Sequence, residues 1–170
     1  MKVLLNAKSS VIIDGGALSL LINKKVQDAI VARSHSKFKT IITPHTGEAE
    51  AILNSKITYK DMMKAACDLA NLLKCICVLK GQDTIISDGK SIYVMTKGSS
   101  ALAKAGSGDV LAGILVGLCC QQKVDDFDAC VLATNIHAQA ANIASKKLHL
   151  ISVNPQDLID NIPASFSFFN

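Results

Sequence analysis

The segment AGSGDVLAGI, residues 105–114, sets two glycines and a serine before Asp109 and then becomes apolar. A glycine-containing turn that opens a helix presents backbone N–H groups and the positive end of the helix dipole to an anion. Glycine also lets a phosphate approach with no Cβ in the way. The amides of Gly106, Ser107 and Gly108 would form such a cradle, and Asp109 beside it would accept a proton from a hydroxyl group. A plainer reading of the same string is an acid capping an ordinary helix. The local string leaves both open.

Three further polar motifs sit where strands end. DGGAL (residues 14–18) follows a first apolar run, TPHTGE (43–48) a second, and LKGQDT (79–84) a third. His45 is a candidate ligand contact, or else part of a rigid proline turn whose Glu48 starts a helix. Lys80 at a strand end can neutralise a phosphate, with Gly81, Gln82, Asp83 and Thr84 offering backbone and side-chain contacts. Its alternative is a solvated lysine leading into a hairpin. His137, in NIHAQAAN (135–142), reads as a core or groove histidine in the middle of a helix.

The elements that must position these groups follow from hydrophobic pattern and turn chemistry. Residues 10–13, 40–43 and 75–79 read as strands, the third without alternation and hence buried on both faces. A short helix follows the first strand, residues 24–39 read as a polar helix with an exposed linker, and 46–53 as a short helix. TYKD at 58–61 is a capping-box variant that opens a longer helix, with Met62, Ala65, Ala66, Leu69, Leu72 and Leu73 at helical spacing. Residues 84–87 and 91–95 flank Asp88-Gly89 and predict a hairpin. Residues 96–107 read as loop, 108–121 and 125–148 as helices, and Pro155 as a helix start capped by Asn154. The whole predicts one α/β domain over residues 1–170: a mostly parallel sheet with helices on both faces. Ligands of such sheets bind beyond the carboxyl ends of the strands, so the polar motifs are expected to line one cleft.

Bulk properties narrow the function classes. The 170 residues are 49% hydrophobic and only 4% aromatic, with a net charge of +4. The lysines are scattered and not interleaved with aromatics, which argues against nucleic-acid binding. The run 110–120 is far short of the ~20 residues of a membrane span. No signal-like segment opens the chain, and a cytoplasmic location is expected. Six cysteines lie in apolar segments with no CxxC pairing, as expected of reduced, buried thiols, and no metal-ligand set stands out.

Taken in order, DGGALS, TPHTGE, VLKGQDT, GSSALAKAGSGDVLAGI and HAQAAN resemble the motifs of the ADP- or ATP-dependent NAD(P)H-hydrate dehydratases, the YjeF-type carbohydrate-kinase-like domain of the ribokinase-like superfamily. VNPQDLIDNIP (153–163) resembles that family's last helix. The resemblance runs from about residue 10 to the end. It implies a three-layer α/β/α fold and repair of hydrated NADH or NADPH. In that reaction ADP or ATP phosphorylates the ring hydroxyl, and phosphate is then eliminated. Carried over residue by residue, Asp109 would be the catalytic base and would contact the hydrated ring, together with His45. Lys80, Gly81, Gln82, Asp83 and Thr84, with Gly106, Ser107 and Gly108, would hold the nucleotide, and Mg²⁺ would accompany its phosphates.

This chain departs from the family pattern at Gly16, Ser19, Ser99, Ala105, Ser107 and Asn142. The family domain usually begins earlier, with a glycine-containing strand–helix region. This chain is therefore expected to start near the third strand of the pattern, with residues 1–6 as the end of a helix. An uncovered sheet edge and apolar face would then favour a homo-oligomer. A separate epimerase is the other partner implied. Two further readings compete: another ribokinase-like kinase, such as a hydroxyethylthiazole kinase, and a non-catalytic nucleotide-binding remnant.

Overall fold

The β-branched runs become five short strands in the computed structural model, which describes residues 7–96, 98–121 and 123–169. The expected helix end at residues 1–6 lies outside them. The chain divides into two compact units, Met1–Val94 and Met95–Asn170.

In the first unit β1 (Val11–Ile13), β2 (Thr40–Ile42), β3 (Ile76–Leu79), β4 (Thr84–Ser87) and β5 (Ile92–Met95) form a sheet in that order. The first three run parallel, with Ile12 opposite Ile41 and Ile42 opposite Cys77. β3 and β4 are antiparallel, Leu79 facing Ile85. All of β2 and β3 is buried, which is why neither alternates in polarity. At the β4–β5 turn Gly89 has φ +90°, and the Asp88 carboxylate accepts from the Lys90 and Ser91 amides, as the Asp-Gly signal requires.

The segment after β1 is a 3₁₀ helix, Gly15–Ile22, whose buried Leu18 and Leu21 are three residues apart and share one face. It packs against α1 (Lys24–Arg33) and α2 (Thr46–Leu53). The polar reading of residues 24–39 missed one feature. Arg33, only 4% exposed, ends α1 and donates to the carbonyls of Ala7 and Ser9. The capping box at Thr58 forms, but it opens a 3₁₀ turn, Tyr59–Asp61, and α3 begins at Met62 and runs to Leu73. Met62, Ala65, Ala66, Leu69 and Leu73 face the core against β3 and β4, whereas Leu72, expected on that stripe, is exposed. Each large apolar side chain so buried contributes roughly 1.5–3 kcal/mol.

The second unit is helical: α4 (Ser107–Gln121), α5 (Asp126–Lys147) and α6 (Pro155–Ser165), with 3₁₀ turns Ser100–Leu102 and Phe166–Phe169. Asp125 caps α5 by accepting from the Asp128 amide. Buried alanines at 129, 133, 138, 140, 141 and 144 let α5 approach its neighbours closely. Asn154 caps α6 through a full capping box with Asp157, and Pro155 holds the first helical position. Among the described residues no helix is long and apolar enough to cross a membrane.

Candidate active site

Three of the sequence motifs converge in the first unit, at the carboxyl ends of its parallel strands. Pairing continues past β2 and β3: the Lys80 amide donates to the Pro44 carbonyl at 2.8 Å, and His45 and Lys80 stand side by side. The Lys80 ammonium reaches back to Asp14, just beyond β1, at 3.0 Å. The same carboxylate oxygen accepts from the Thr43 hydroxyl at 2.6 Å. Burial pushes the Asp14 carboxyl up, but the hydrogen bonds from Thr43 and Lys80 and the Lys80 charge outweigh it, so its pKa lies below the ordinary 3.8. Asp14 is therefore a carboxylate that holds Lys80 over the strand ends.

His45 plays two parts. Its Nδ1 accepts the Glu48 amide at 3.2 Å, while the Glu48 carboxylate accepts the His45 amide at 2.8 Å, a reciprocal cap on α2. Nδ1 is thereby the acceptor and the ring proton sits on Nε2. With its side chain 62% exposed, the imidazole still presents an edge to a ligand. Capping and ligand contact, alternatives in the sequence, are geometrically compatible here.

The residues after Lys80 form the β3–β4 connection. Space at Gly81 is tight: a Cβ there would lie 2.7 Å from the Met62 terminal carbon, which would have to move, and 3.3 Å from the Asp83 carbonyl. Gln82 is exposed, and Thr84 starts β4. The Asp83 carboxylate accepts from the Tyr59 hydroxyl, which raises the tyrosine pKa.

The fourth motif lies in the second unit. Gly106 has φ +87°, and a Cβ on it would meet Pro155 Cγ at 2.8 Å, so conformation and space both demand glycine. Lys104, two residues earlier, donates to the Ile151 carbonyl and, at 2.6 Å, to that of Val153. This ties the turn to the segment that leads into α6. The Ser107 amide donates to the Lys104 carbonyl at 3.2 Å, and the first α-helical bond runs from Val110 to Gly106. Of the three amides expected in a cradle, that of Ser107 is thus engaged, while that of Gly108, and beside it that of Asp109, lies in the first turn, where a helix supplies no acceptor. Asp109 is exposed there. It lies at an open groove of about 590 Å³ whose walls include Gly113, Ile114, Ile159 and Phe166. Ser107 itself is buried, its hydroxyl 3.1 Å from His137 Nε2 on α5.

The sequence reading singled out DGGAL as a motif without placing Asp14 in the site, and it missed Thr43, Tyr59, Lys104 and the Ser107–His137 pair. Asp14 carried a signal, an acid directly after a strand at the level of Lys80. The others had none, because their partners lie 24 to 49 residues away. Two of the six cysteines are held as neutral thiols. All six are free. Burial pushes the Cys75 thiol up to about 12, and burial with the nearby Asp126 charge pushes Cys119 up to about 11, far from a reactive thiolate.

A parallel-stranded α/β sheet with polar residues gathered at its strand ends, and a glycine turn entering a helix with an acid in its first turn, define the ribokinase-like class. The profile of the NAD(P)H-hydrate dehydratase family matches residues 1–164, and the chain belongs to that family. It is 35% identical over 152 residues to the bifunctional NAD(P)H-hydrate repair enzyme of Leishmania major, covering 83% of this chain and 27% of that protein. It is 30% identical over 165 residues to the ADP-dependent (S)-NAD(P)H-hydrate dehydratase of Lactococcus lactis, covering 94% of this chain and 55% of that one. The structure of the Bacillus subtilis ADP/ATP-dependent NAD(P)H-hydrate dehydratase, co-crystallised with ATP and Mg²⁺, superposes with a TM-score of 0.81 at 27% identity, over 98% of this chain and 57% of that one. The chain thus spans between about a quarter and three fifths of these relatives. A hydroxyethylthiazole kinase from Pyrococcus horikoshii, at 15% identity and TM-score 0.68, shares the fold.

Proposed function

We propose that this chain carries out the nucleotide-dependent step of NAD(P)H-hydrate repair. The observation that carries the reading is the Gly106–Asp109 turn: a glycine obligatory in conformation, then an exposed carboxylate in the first turn of α4. Asp109 takes the proton of the ring hydroxyl as its oxygen bonds to the terminal phosphorus of ADP or ATP, releasing AMP or ADP. The phosphate then leaves with the electron pair of its C–O bond while the adjacent ring carbon gives up a proton to the departing phosphate or to water, which restores the ring double bond. Gly106 and the Gly108 amide receive phosphate oxygens at the helix N-terminus, with Ser107 as the buried link between them. Lys80, held by Asp14, supplies a positive charge for the nucleotide, and Gly81, Gln82, Asp83 and Thr84 line its path. The exposed edge of His45 contacts the dinucleotide.

Among the described residues no cluster of three or more His, Cys, Asp or Glu is preformed for a metal. This fits Mg²⁺ carried on nucleotide phosphates, since that ion keeps waters and needs only one or two carboxylates. When bound it neutralises phosphate charge.

The names of the Leishmania and Lactococcus relatives support the substrate, hydrated NADH or NADPH. The bifunctional name of the former supports a second activity acting alongside, which we assign to an epimerase partner. Six free thiols support a reducing, cytoplasmic setting. We further read residues 1–170 as a single domain that self-associates, with exposed Ile159 and Phe166 beside the apolar groove. The decisive experiment incubates the purified chain with hydrated NADH, Mg²⁺ and either ADP or ATP and follows the return of NADH absorbance. Recovery with either nucleotide supports the reading. No recovery, with ADP still bound, moves the chain to the non-catalytic alternative.

A further inference from the structure

The chemistry above uses Ser107 only as a backbone link and leaves its hydroxyl and His137 without a role. Ser107 is 3% exposed and His137 6%, so both side chains are buried. Their hydroxyl and imidazole Nε2 lie 3.1 Å apart. Ser107 is the first residue of α4, between Gly106, pressed against Pro155, and the Gly108–Asp109 pair. His137 is in the middle of α5, a long helix packed against α4 and α6. One rotatable bond joins the Ser107 hydroxyl to its backbone, so holding Oγ on α5 restrains the backbone of Ser107 and with it the placement of the next two amides and of the Asp109 Cα.

We infer that His137 is a positioning residue for the phosphate-facing turn, acting through the Ser107 hydroxyl. Two anchors then hold the turn. Lys104 ties its entry to the carbonyls before α6, and His137 ties its exit to α5. Only the second acts on the residues that meet the substrate. The functional consequence rests on the reading above; the geometric one does not.

The test uses the full chain and the variants Ser107→Ala, His137→Leu and His137→Gln, the last keeping a polar group near the Nε2 position. ADP affinity is measured by calorimetry, the backbone amide signals of Gly108 and Asp109 by NMR, and folding by thermal melting. Ser107→Ala and His137→Leu should each weaken ADP about 5- to 10-fold, the loss expected for one buried hydrogen bond acting on a binding turn. The two combined should lose no more than either alone, and His137→Gln should stay within about twofold of the parent. The Gly108 and Asp109 signals should move in His137→Leu and hold in His137→Gln. If His137→Leu does not fold, Ser107→Ala against His137→Gln makes the same comparison. Additive losses, or lowered melting with affinity and amide signals unchanged, would overturn the inference. If the parent binds no ADP the proposed function fails, and the amide signals alone then decide the positioning role.

Discussion

Asp109 and Asp14 show how one residue type takes opposite duties from its surroundings. Asp109 is exposed at the start of a helix and makes no ion pair among the described residues, as the proposed proton transfer from a substrate hydroxyl requires. Asp109→Asn should lower turnover of hydrated NADH by about 10²–10⁴-fold, the usual cost of losing a general base, with an unchanged melting temperature. Parental rates in that variant would remove Asp109 from the mechanism. Asp14 instead is bound to Lys80 and Thr43, and its folded pKa is below 3.8. The unfolded chain then takes up the proton first as pH falls. The stabilisation is complete above the ordinary carboxylate pKa and is lost as pH drops through the lower folded value. Melting curves of parent and Asp14→Asn should differ most above pH 3.8 and converge in stronger acid. A gap independent of pH would show that the Asp14 charge does not stabilise the fold.

At the scale of the element, the turn before α4 is held by backbone geometry. A side chain at Gly106 must adopt φ +87° and displace the Pro155 ring. Gly106→Ala should therefore destabilise the protein by about 1–3 kcal/mol, the cost of a non-glycine residue in a sparsely populated region. Denaturant titration measures this, and a neutral result would mean that Pro155 and the turn relax together. The capping boxes work the other way. The box at Thr58 and the Asn154 cap were legible because a capping side chain and the group it satisfies lie within three residues of each other. The box at His45 was not recognised, because histidine is outside the usual capping set, yet its Nδ1 does what a serine oxygen would.

For the whole molecule, the groove along α4 and the exposed Ile159 and Phe166 leave apolar surface in water. Sedimentation at rising concentration should show dimers or larger species, and Phe166→Ser should shift the equilibrium toward monomer. A monomer at every concentration would contradict self-association. The chain covers 94% of itself but 55% of its Lactococcus relative. Turnover by this chain alone is therefore the sharpest question that can be put to it.

The order of strands and helices, the buried character of β3, the hairpin and the Asn154 cap on α6 were all determined by the sequence alone. Each depends on residues within a few positions of one another, where periodicity and turn chemistry act. The glycine turn with its acid was legible for the same reason. What only the tertiary structure decided is which polar groups meet. Asp14 and Lys80 are 66 residues apart, and Ser107 and His137 are 30 apart. Parallel strands set the first pair side by side because their crossovers return each carboxyl end to the same edge. Helix packing through small alanines brought the second within hydrogen-bond reach. Neither distance has a local signature, since a side chain's partner across a fold is chosen by backbone placement and not by spacing along the chain.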